Sequence, residues 1–322
     1  MQRLLVRSKA KGTIRGYTSS IKSWLKYAAE NDLPTNPATT FGVTRYITML
    51  ADSNVGFSAL AVVSPALMLL HECQNHNIAA AMQAPFVKLI LTGAKREAAE
   101  RRGPVKKAPV LSQSQIHQVV DLLWKKGVGV LDKSISLATW RTIVRIYTMY
   151  KTLCRHDCFA QLLTQDIILG EDYVQLSFAR SKNDQYYDGS ITILASLPEQ
   201  PQYCPKVIFA TYFQAMSFKQ TGMEFLNCRL QFTKKFGVQA LPHLSLAYST
   251  SLVESRKLCH DLGFEGNFSE KSYKVAGVTQ GFDAGLSSEE MRNHGRWKSL
   301  ETPNLYYAQN KKMKMKISLQ IV

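Results

Sequence analysis

GRWKSLETPNLYY, residues 295–307, is the stretch that decides how the rest of the chain is interpreted. It places Trp297 nine residues before Tyr306, the first of two adjacent tyrosines. Taken alone, Tyr306 and Tyr307 are typical of an aromatic core, and Trp297 is typical of a packing residue whose indole N–H finds a partner. A functional interpretation therefore depends on what stands at fixed distances before this stretch.

Basic residues stand in three places before it. Arg155 follows a long apolar segment, where a lone arginine is costly unless it meets an anion. Lys182 falls at the tip of a predicted hairpin, and Lys271 and Lys274 stand three apart on one face of a predicted helix. Each has a plain alternative: a buried salt bridge for Arg155, a surface charge for Lys182 and an exposed basic stripe for the last pair.

The order and spacing of these elements resemble the conserved boxes of the tyrosine recombinases, the family of phage-integrase-like enzymes. TLCR at 152–155 with FAQLLTQDI at 159–167 resembles the first box, and KSYK at 271–274, ahead of AGLS at 284–287, is in register with the second, HxxR. The match covers about residues 112–310, and the module before it is similar to the family's core-binding domain. A source in a mobile element such as a Crypton fits this resemblance.

The resemblance implies DNA strand exchange, in which Tyr306 attacks a backbone phosphate and forms a 3′-phosphotyrosyl link. The link keeps the energy of the broken bond for religation, so no metal or other cofactor is expected. Arg155 is implied to hold two nonbridging oxygens bidentately, and Lys182 to protonate the leaving 5′-oxygen. The remaining implied catalytic residues are Lys271, Lys274 and Trp297.

Two positions depart from the family pattern. Lys274 replaces the arginine of the second box, which keeps the charge but loses a planar two-pronged donor, and losing one preorganised donor costs on the order of 10²–10³ in rate. Cys158 stands where an acidic residue usually braces the site, and Asp157 is one position off. A catalytically impaired DNA-binding relic of a mobile element stays an alternative, and a type IB topoisomerase-like relaxing enzyme is a third interpretation.

Charge and cysteine usage fit a DNA partner inside the cell. Forty basic against 24 acidic residues give a net charge of +16, which favours a polyanion over a neutral partner. No basic helix with a long apolar face points to a membrane surface, and the most apolar run, residues 56–70, is shorter than the roughly 20 residues of a spanning helix. Six irregularly spaced cysteines without CxxC pairs predict neither a disulfide framework nor a metal site. Without a secretory signal we expect an intracellular protein, nuclear in a eukaryote and cytoplasmic in a prokaryote.

Periodicity predicts a mostly α protein with a small β-sheet, in two domains. Residues 1–100 are expected to form a four-helix core-binding domain, with helices from about residue 11, at 39–52, at 56–75 and at 83–100, and with Thr13, Thr39 or Thr40, and Ser58 as caps. An α+β catalytic domain follows at 112–322. It is expected to hold helices at 112–126 and 135–152, strands at 173–178 and 191–194, and a mostly helical pattern from 206 onward.

A basic linker, residues 101–111, is expected between the domains, because Gly103 and the prolines at 104 and 109 stop a helix. The cations expected to contact DNA phosphate are Arg101, Arg102, Lys106, Lys107 and, in the hairpin, Arg180. The expected partners are double-stranded DNA and further copies of the chain, as a dimer to tetramer on paired sites. The tail, residues 311–322, is expected to dock on a neighbouring copy or on its own domain.

Overall fold

The computed structural model describes residues 8–74, 76–104, 109–125, 132, 134–179, 189–219, 222–235 and 237–307. The chain divides into two compact units, Met1–Lys106 and Lys107–Val322. The predicted fold class is confirmed, since helices predominate in the described residues and the strands form one three-stranded and one two-stranded sheet. No helix in these ranges is long and apolar enough to cross a membrane.

The first unit is entirely helical where it is described. Its helices are α1 (Lys11–Glu30), α2 (Thr40–Asp52), α3 (Phe57–Glu72), α4 (Ala79–Gln83) and α5 (Pro85–Arg102). Their apolar faces enclose Trp24, which is fully buried, donates its indole N–H to the carbonyl of Thr35 over 3.1 Å and packs edge-on against Tyr46. This core gives the unit its own stability.

The predicted helix starts are partly right. Thr39 caps α2 by accepting a hydrogen bond from the N–H of Gly42, as expected. Thr13 and Ser58 are not caps, because the helices begin at Lys11 and Phe57 and include them. The short helix α4 was not predicted, since five residues are too few for a periodic signal.

Helix α5 extends into the predicted linker. It ends only at Arg102, where Gly103 adopts a positive φ of 66° that favours glycine. Arg101 therefore lies on a helix, 3.8 Å from Glu97, and the guanidinium of Arg102 lies over the ring of Phe57 at 5.6 Å. The expectation that both belong to the non-helical linker is wrong. Lys106 and Lys107 lie outside the described residues.

The second unit is built around one buried helix. The elements before the two-stranded sheet are α6 (Gln113–Asp121), α7 (Leu137–Thr152), α8 (His156–Phe159), β1 (Ile167–Leu169), β2 (Tyr173–Phe178), β3 (Ser190–Ala195) and α9 (Pro205–Met216). Those that follow are β4 (Cys228–Thr233), β5 (Gly237–Ser245), α10 (Tyr248–Asp261), α11 (Glu270–Asp283), α12 (Ser288–His294) and α13 (Glu301–Tyr307). Helix α7 is buried along most of its length and packs against α6, α9, α10 and α11.

Local signals located several of these elements. Ser112 and Gln115 form a reciprocal capping box at the predicted start of α6, although α6 ends at Asp121 rather than at residue 126. Strands β1, β2 and β3 form an antiparallel sheet in that order, with the buried Val174 opposite the buried Leu194. The predicted strands are therefore confirmed, and β1 is added at their edge.

The helices α9 to α13 confirm the mostly helical pattern expected from residue 206 onward, and the hairpin of β4 and β5 is an unpredicted exception to it. These strands bury few side chains on either face, so the period-two alternation of a half-buried strand is missing. Pro242 inside β5 also argued against a strand.

Two arginines of α7 connect this helix with α10, with α11 and with the segment before β4. Arg145 is fully buried and donates to the Asn227 side chain, to the Ser251 carbonyl and to the Ser255 hydroxyl. Its Nε lies 3.4 Å from Oε2 of Glu270, which is 1% exposed in the first turn of α11. One turn earlier, Arg141 pairs with Glu254 of α10. Because buried charges must be paired, this network fixes α11 against α7.

Candidate active site

The close crossing of α7 and α11 depends on a glycine. A Cβ placed at Gly277 would collide with the backbone carbonyl of Tyr150 near the end of α7. The absence of a side chain lets the two backbones approach, as at other tight helix crossings. Lys274 lies one turn before Gly277 on α11, so this contact brings Lys274 to the carboxyl end of α7.

Arg155 enters the same region through a sharp turn. Helix α7 ends at Thr152, and the next residue, Leu153, has a left-handed φ of 53°. Arg155 follows in extended backbone as the residue that precedes α8. Arg155 is half-buried, and no ion pair among the described residues involves it. The alternative of a buried salt bridge for Arg155 therefore finds no support in this part of the chain.

Lys274 is buried, with 3% of its surface exposed, so it does not belong to an exposed basic stripe. Its Nζ lies 4.5 Å from the centroid of the Trp297 ring. Burial, followed by the positive charges of Arg155 and Arg296, lowers the pKa of Lys274 to about 7. Lys271, three residues earlier, is exposed.

Trp297 has both a packing role and a contact with a cation. It is 6% exposed and joins Leu153, Val278 and Met291 in a small apolar cluster. A Cβ at Gly295 would collide with the indole ring, so glycine is needed there. Its ring lies against Lys274, the last residue of the KSYK segment.

The structure adds Arg296, which the sequence pattern does not single out. Arg296 has a left-handed φ of 55°, places its guanidinium 3.9 Å from the centroid of the Phe178 ring and donates to the Thr192 hydroxyl. Burial lowers its pKa, and its charge acts on Lys274. Its place between Gly295 and Trp297 was the only signal in the sequence, and that signal specifies no contact.

The cations have no acidic brace in the described residues around them. Cys158 is buried, whereas the neighbouring Asp157 side chain is 86% exposed. Burial raises the pKa of Cys154 to about 11, which keeps that thiol neutral. The charged side chains that act on Lys274 are thus the two arginines, Arg155 and Arg296. Such a site is suited to an anion.

The structure describes the other predicted site residues only in part. Tyr306 lies on α13, which packs against α11 and α12, and the structure describes its backbone position. Arg180 and Lys182 fall outside the described residues, between the ends of β2 and β3. The structure therefore brings together Arg155, Lys274 and Trp297 from the predicted set.

Comparisons with known proteins identify the fold. No protein-family model matches the sequence, and no curated protein matches it. Among solved structures, the XerH site-specific recombinase in a post-cleavage complex with palindromic difH substrate aligns with a TM-score of 0.62 at 10% identity, over 95% of this chain and 78% of that one. A lambda integrase tetramer bound to a Holliday junction aligns with a TM-score of 0.54 at 13% identity, over 96% and 76%. The chain therefore has the tyrosine recombinase fold.

Proposed function

We propose that this protein recombines DNA at specific sites by cleavage and religation through a 3′-phosphotyrosyl intermediate at Tyr306. The observation that carries the proposal is that the buried Lys274 lies on the Trp297 ring and within the influence of the charge of the half-buried Arg155, in a recombinase fold. Residues far apart in the sequence converge there without an acidic partner among the described groups. A DNA phosphate would supply the missing negative charge.

The chemistry proceeds in two balanced steps. The Tyr306 hydroxyl releases its proton to solvent as its oxygen attacks phosphorus, and the bond to the 5′-oxygen breaks while Lys182 gives that oxygen a proton. In the reverse step, a 5′-hydroxyl of another strand gives its proton to the Lys182 amine as it attacks phosphorus, and the released Tyr306 oxygen takes a proton back from solvent. Arg155 and Lys274 stabilise the negative charge of the crowded phosphorus centre, which is where preorganised donors contribute most to rate.

We propose that the active form is an oligomer on paired DNA sites. In support, XerH is described in complex with a palindromic substrate, and lambda integrase as a tetramer on a Holliday junction. Lys106, Lys107 and Arg180 are proposed to contact DNA phosphates, with the net charge of +16 as support.

The proposal is tested with a nicked substrate whose 5′-hydroxyl fragment diffuses away after cleavage. A binding sequence is first selected from a random pool of duplexes. Wild-type protein should accumulate as a detergent-resistant DNA adduct, and Tyr306→Phe should give none. Tyr307→Phe is the matched control and should behave as wild type, whereas an adduct that vanishes only in Tyr307→Phe would move the nucleophile by one residue.

A DNA-binding relic is the second candidate, because Lys274 lacks an arginine's fork and Cys158 supplies no carboxylate. It predicts sequence-selective binding without an adduct from the wild type. Lys274→Arg, which restores a bidentate donor, should then also give none, whereas an active but limited enzyme should gain adduct.

A further inference from the structure

Arg296 stands beside the cations of the proposed site and has no role in the function described so far. We propose that Arg296 contacts the scissile phosphate as a second arginine and supplies the planar donor that Lys274 lacks. The inference rests on the proposed function, because it assigns the phosphate to that site.

The backbone of Arg296 is the first observation. Its φ of 55° lies in the left-handed region, which residues other than glycine, asparagine and aspartate seldom occupy. The neighbouring Gly295 has an ordinary negative φ, although glycine would adopt the left-handed conformation at little cost. The unfavourable conformation thus falls on the residue with the long cationic side chain.

The Arg296 side chain has two contacts, one through the face of its guanidinium and one through a hydrogen bond. The Phe178 ring lies 3.9 Å from Cζ, so the guanidinium stacks on an aromatic surface, and one Nη donates to Thr192. A guanidinium has five N–H donors in its plane, and stacking leaves the edges of that plane available. In the described part of the chain, no carboxylate forms an ion pair with Arg296.

Electrostatics places Arg296 in the same site as the other cations. Its positive charge and that of Arg155 both act on Lys274. Three cations with the neutral Cys154 thiol beside them repel one another, and burial increases that cost. An anionic phosphate would relieve the repulsion. It would accept hydrogen bonds from the guanidinium groups of Arg155 and Arg296 and from the ammonium of Lys274.

A purely structural role is the competing explanation. Phe178 ends β2 and Thr192 lies in β3, so Arg296 could simply hold the hairpin of these two strands together. The two roles differ in their dependence on the charge of the phosphate. A brace for the hairpin should matter equally for charged and neutral phosphates.

The experiment compares wild type, Arg296→Gln, Arg296→Lys and the control Arg292→Gln. Arg292 lies in α12, and its guanidinium contacts Asn293 and Glu289. Single-turnover adduct formation is measured on nicked substrates with either a phosphodiester or an uncharged methylphosphonate at the scissile position. Arg296→Gln should slow the phosphodiester reaction by about 10²–10³ and the methylphosphonate reaction far less. On the phosphodiester, the rate of Arg296→Lys should fall between those of wild type and Arg296→Gln. An equal loss on both substrates, or Arg296→Gln within about twofold of the control, would overturn the inference.

A second measurement separates this inference from the proposed function. In protein labelled with ¹³C-lysine, the Lys274 signal is identified by its loss in Lys274→Arg, and inorganic phosphate is titrated. Phosphate should bind the wild type and shift the Lys274 signal, and Arg296→Gln should weaken binding at least about tenfold. If no variant forms an adduct but this loss is seen, the anion site stands and the recombinase proposal fails. Phosphate binding unchanged in Arg296→Gln would sink the inference whatever the cleavage assay gives.

Discussion

The ammonium of Lys274 lies 4.5 Å from the centroid of the Trp297 ring, so a buried cation rests on an aromatic face in the proposed site. Desolvated contacts of this kind stabilise the charged form by about 2 kcal/mol. Burial outweighs this effect, because the pKa of Lys274 still falls to about 7. Near neutral pH the amine therefore exchanges its proton readily, and an anion in the site would hold it protonated.

The first prediction concerns the pH dependence of cleavage. With DNA below saturation, the rate reports the free protein, and it should fall as pH rises above about 7 because Lys274 loses its charge. Lys274→Arg should remove this part of the profile, since arginine stays protonated. Lys257→Arg, at an exposed lysine paired with Asp261, is the control and should keep the wild-type profile.

The second prediction concerns stability. The pKa of Lys274 is lower in the folded than in the unfolded protein, so unfolding takes up a proton between about pH 7 and the ordinary lysine value of 10.5. This residue therefore makes wild-type stability rise with pH across that window and level off below it. Lys274→Met should be more stable at pH 6 by on the order of 3 kcal/mol, an advantage that shrinks toward pH 10. Urea unfolding at pH 6, 8 and 10 measures it, and a constant difference would contradict the assignment.

Much of the fold follows from local signals in the sequence. The Ser112–Gln115 capping box, the Thr39 cap and the alternation of residues 173–178 each specify an element through contacts within a few residues. The hairpin of β4 and β5 has no such signal, because its strands alternate little in burial. Gly103 and Pro104 correctly predict that a helix must stop, but they do not show that the helix continues as far as Arg102.

Only the order and spacing of the site residues along the chain could be predicted from the sequence. Spacing along the chain selected Arg155, Lys274 and Trp297, and the structure brings these three together. The left-handed backbone of Arg296 and its stacking on Phe178 depend on tertiary contacts between segments more than a hundred residues apart. Periodicity and spacing carry no information on such contacts.

The third prediction concerns the crossing of α7 and α11. Gly277→Ala should destabilise the second unit by about 1–3 kcal/mol, because its Cβ meets the backbone carbonyl of Tyr150, which has little room to move. Adduct formation should fall as well, since Lys274 lies one turn away. Gly93→Ala, inside α5 with nothing near its Cβ, should instead stabilise by roughly 0.5–1 kcal/mol. Thermal unfolding of both variants gives the comparison, and equal effects would show that the crossing is not tight.

The fourth prediction concerns the buried charges that hold α11. Glu270→Ala removes the buried carboxylate beside Arg145, leaving Glu254 at 3.7 Å as its remaining acidic partner, and should cost about 3–5 kcal/mol. Asp261→Ala removes the partner of the exposed Lys257 and should change stability far less, because an exposed ion pair is screened by solvent. Urea unfolding separates the two, and a small effect of Glu270→Ala would mean that the network is not what fixes α11.

The last prediction distinguishes the basic residues on either side of Gly103. Lys106→Ala and Lys107→Ala should weaken binding to all duplexes alike and should lower the slope of log affinity against log salt by about 0.9 for each phosphate that the protein no longer neutralises. Arg102→Ala should also lower the melting temperature of the first unit, because its side chain packs on Phe57. Lys26→Ala, at an exposed lysine paired with Glu30, is the control for charge alone.

Binding is measured by fluorescence anisotropy between about 50 and 200 mM salt, a range over which neutralising several phosphates changes affinity by orders of magnitude. Weaker binding confined to one DNA sequence in the Lys106 and Lys107 variants would assign these lysines to sequence recognition instead. A slope equal to that of wild type in both variants would show that Lys106 and Lys107 do not contact DNA phosphates. If Arg102→Ala lowers the slope while leaving the melting temperature unchanged, its contact with Phe57 is not structural, and the end of α5 belongs to the DNA-binding surface.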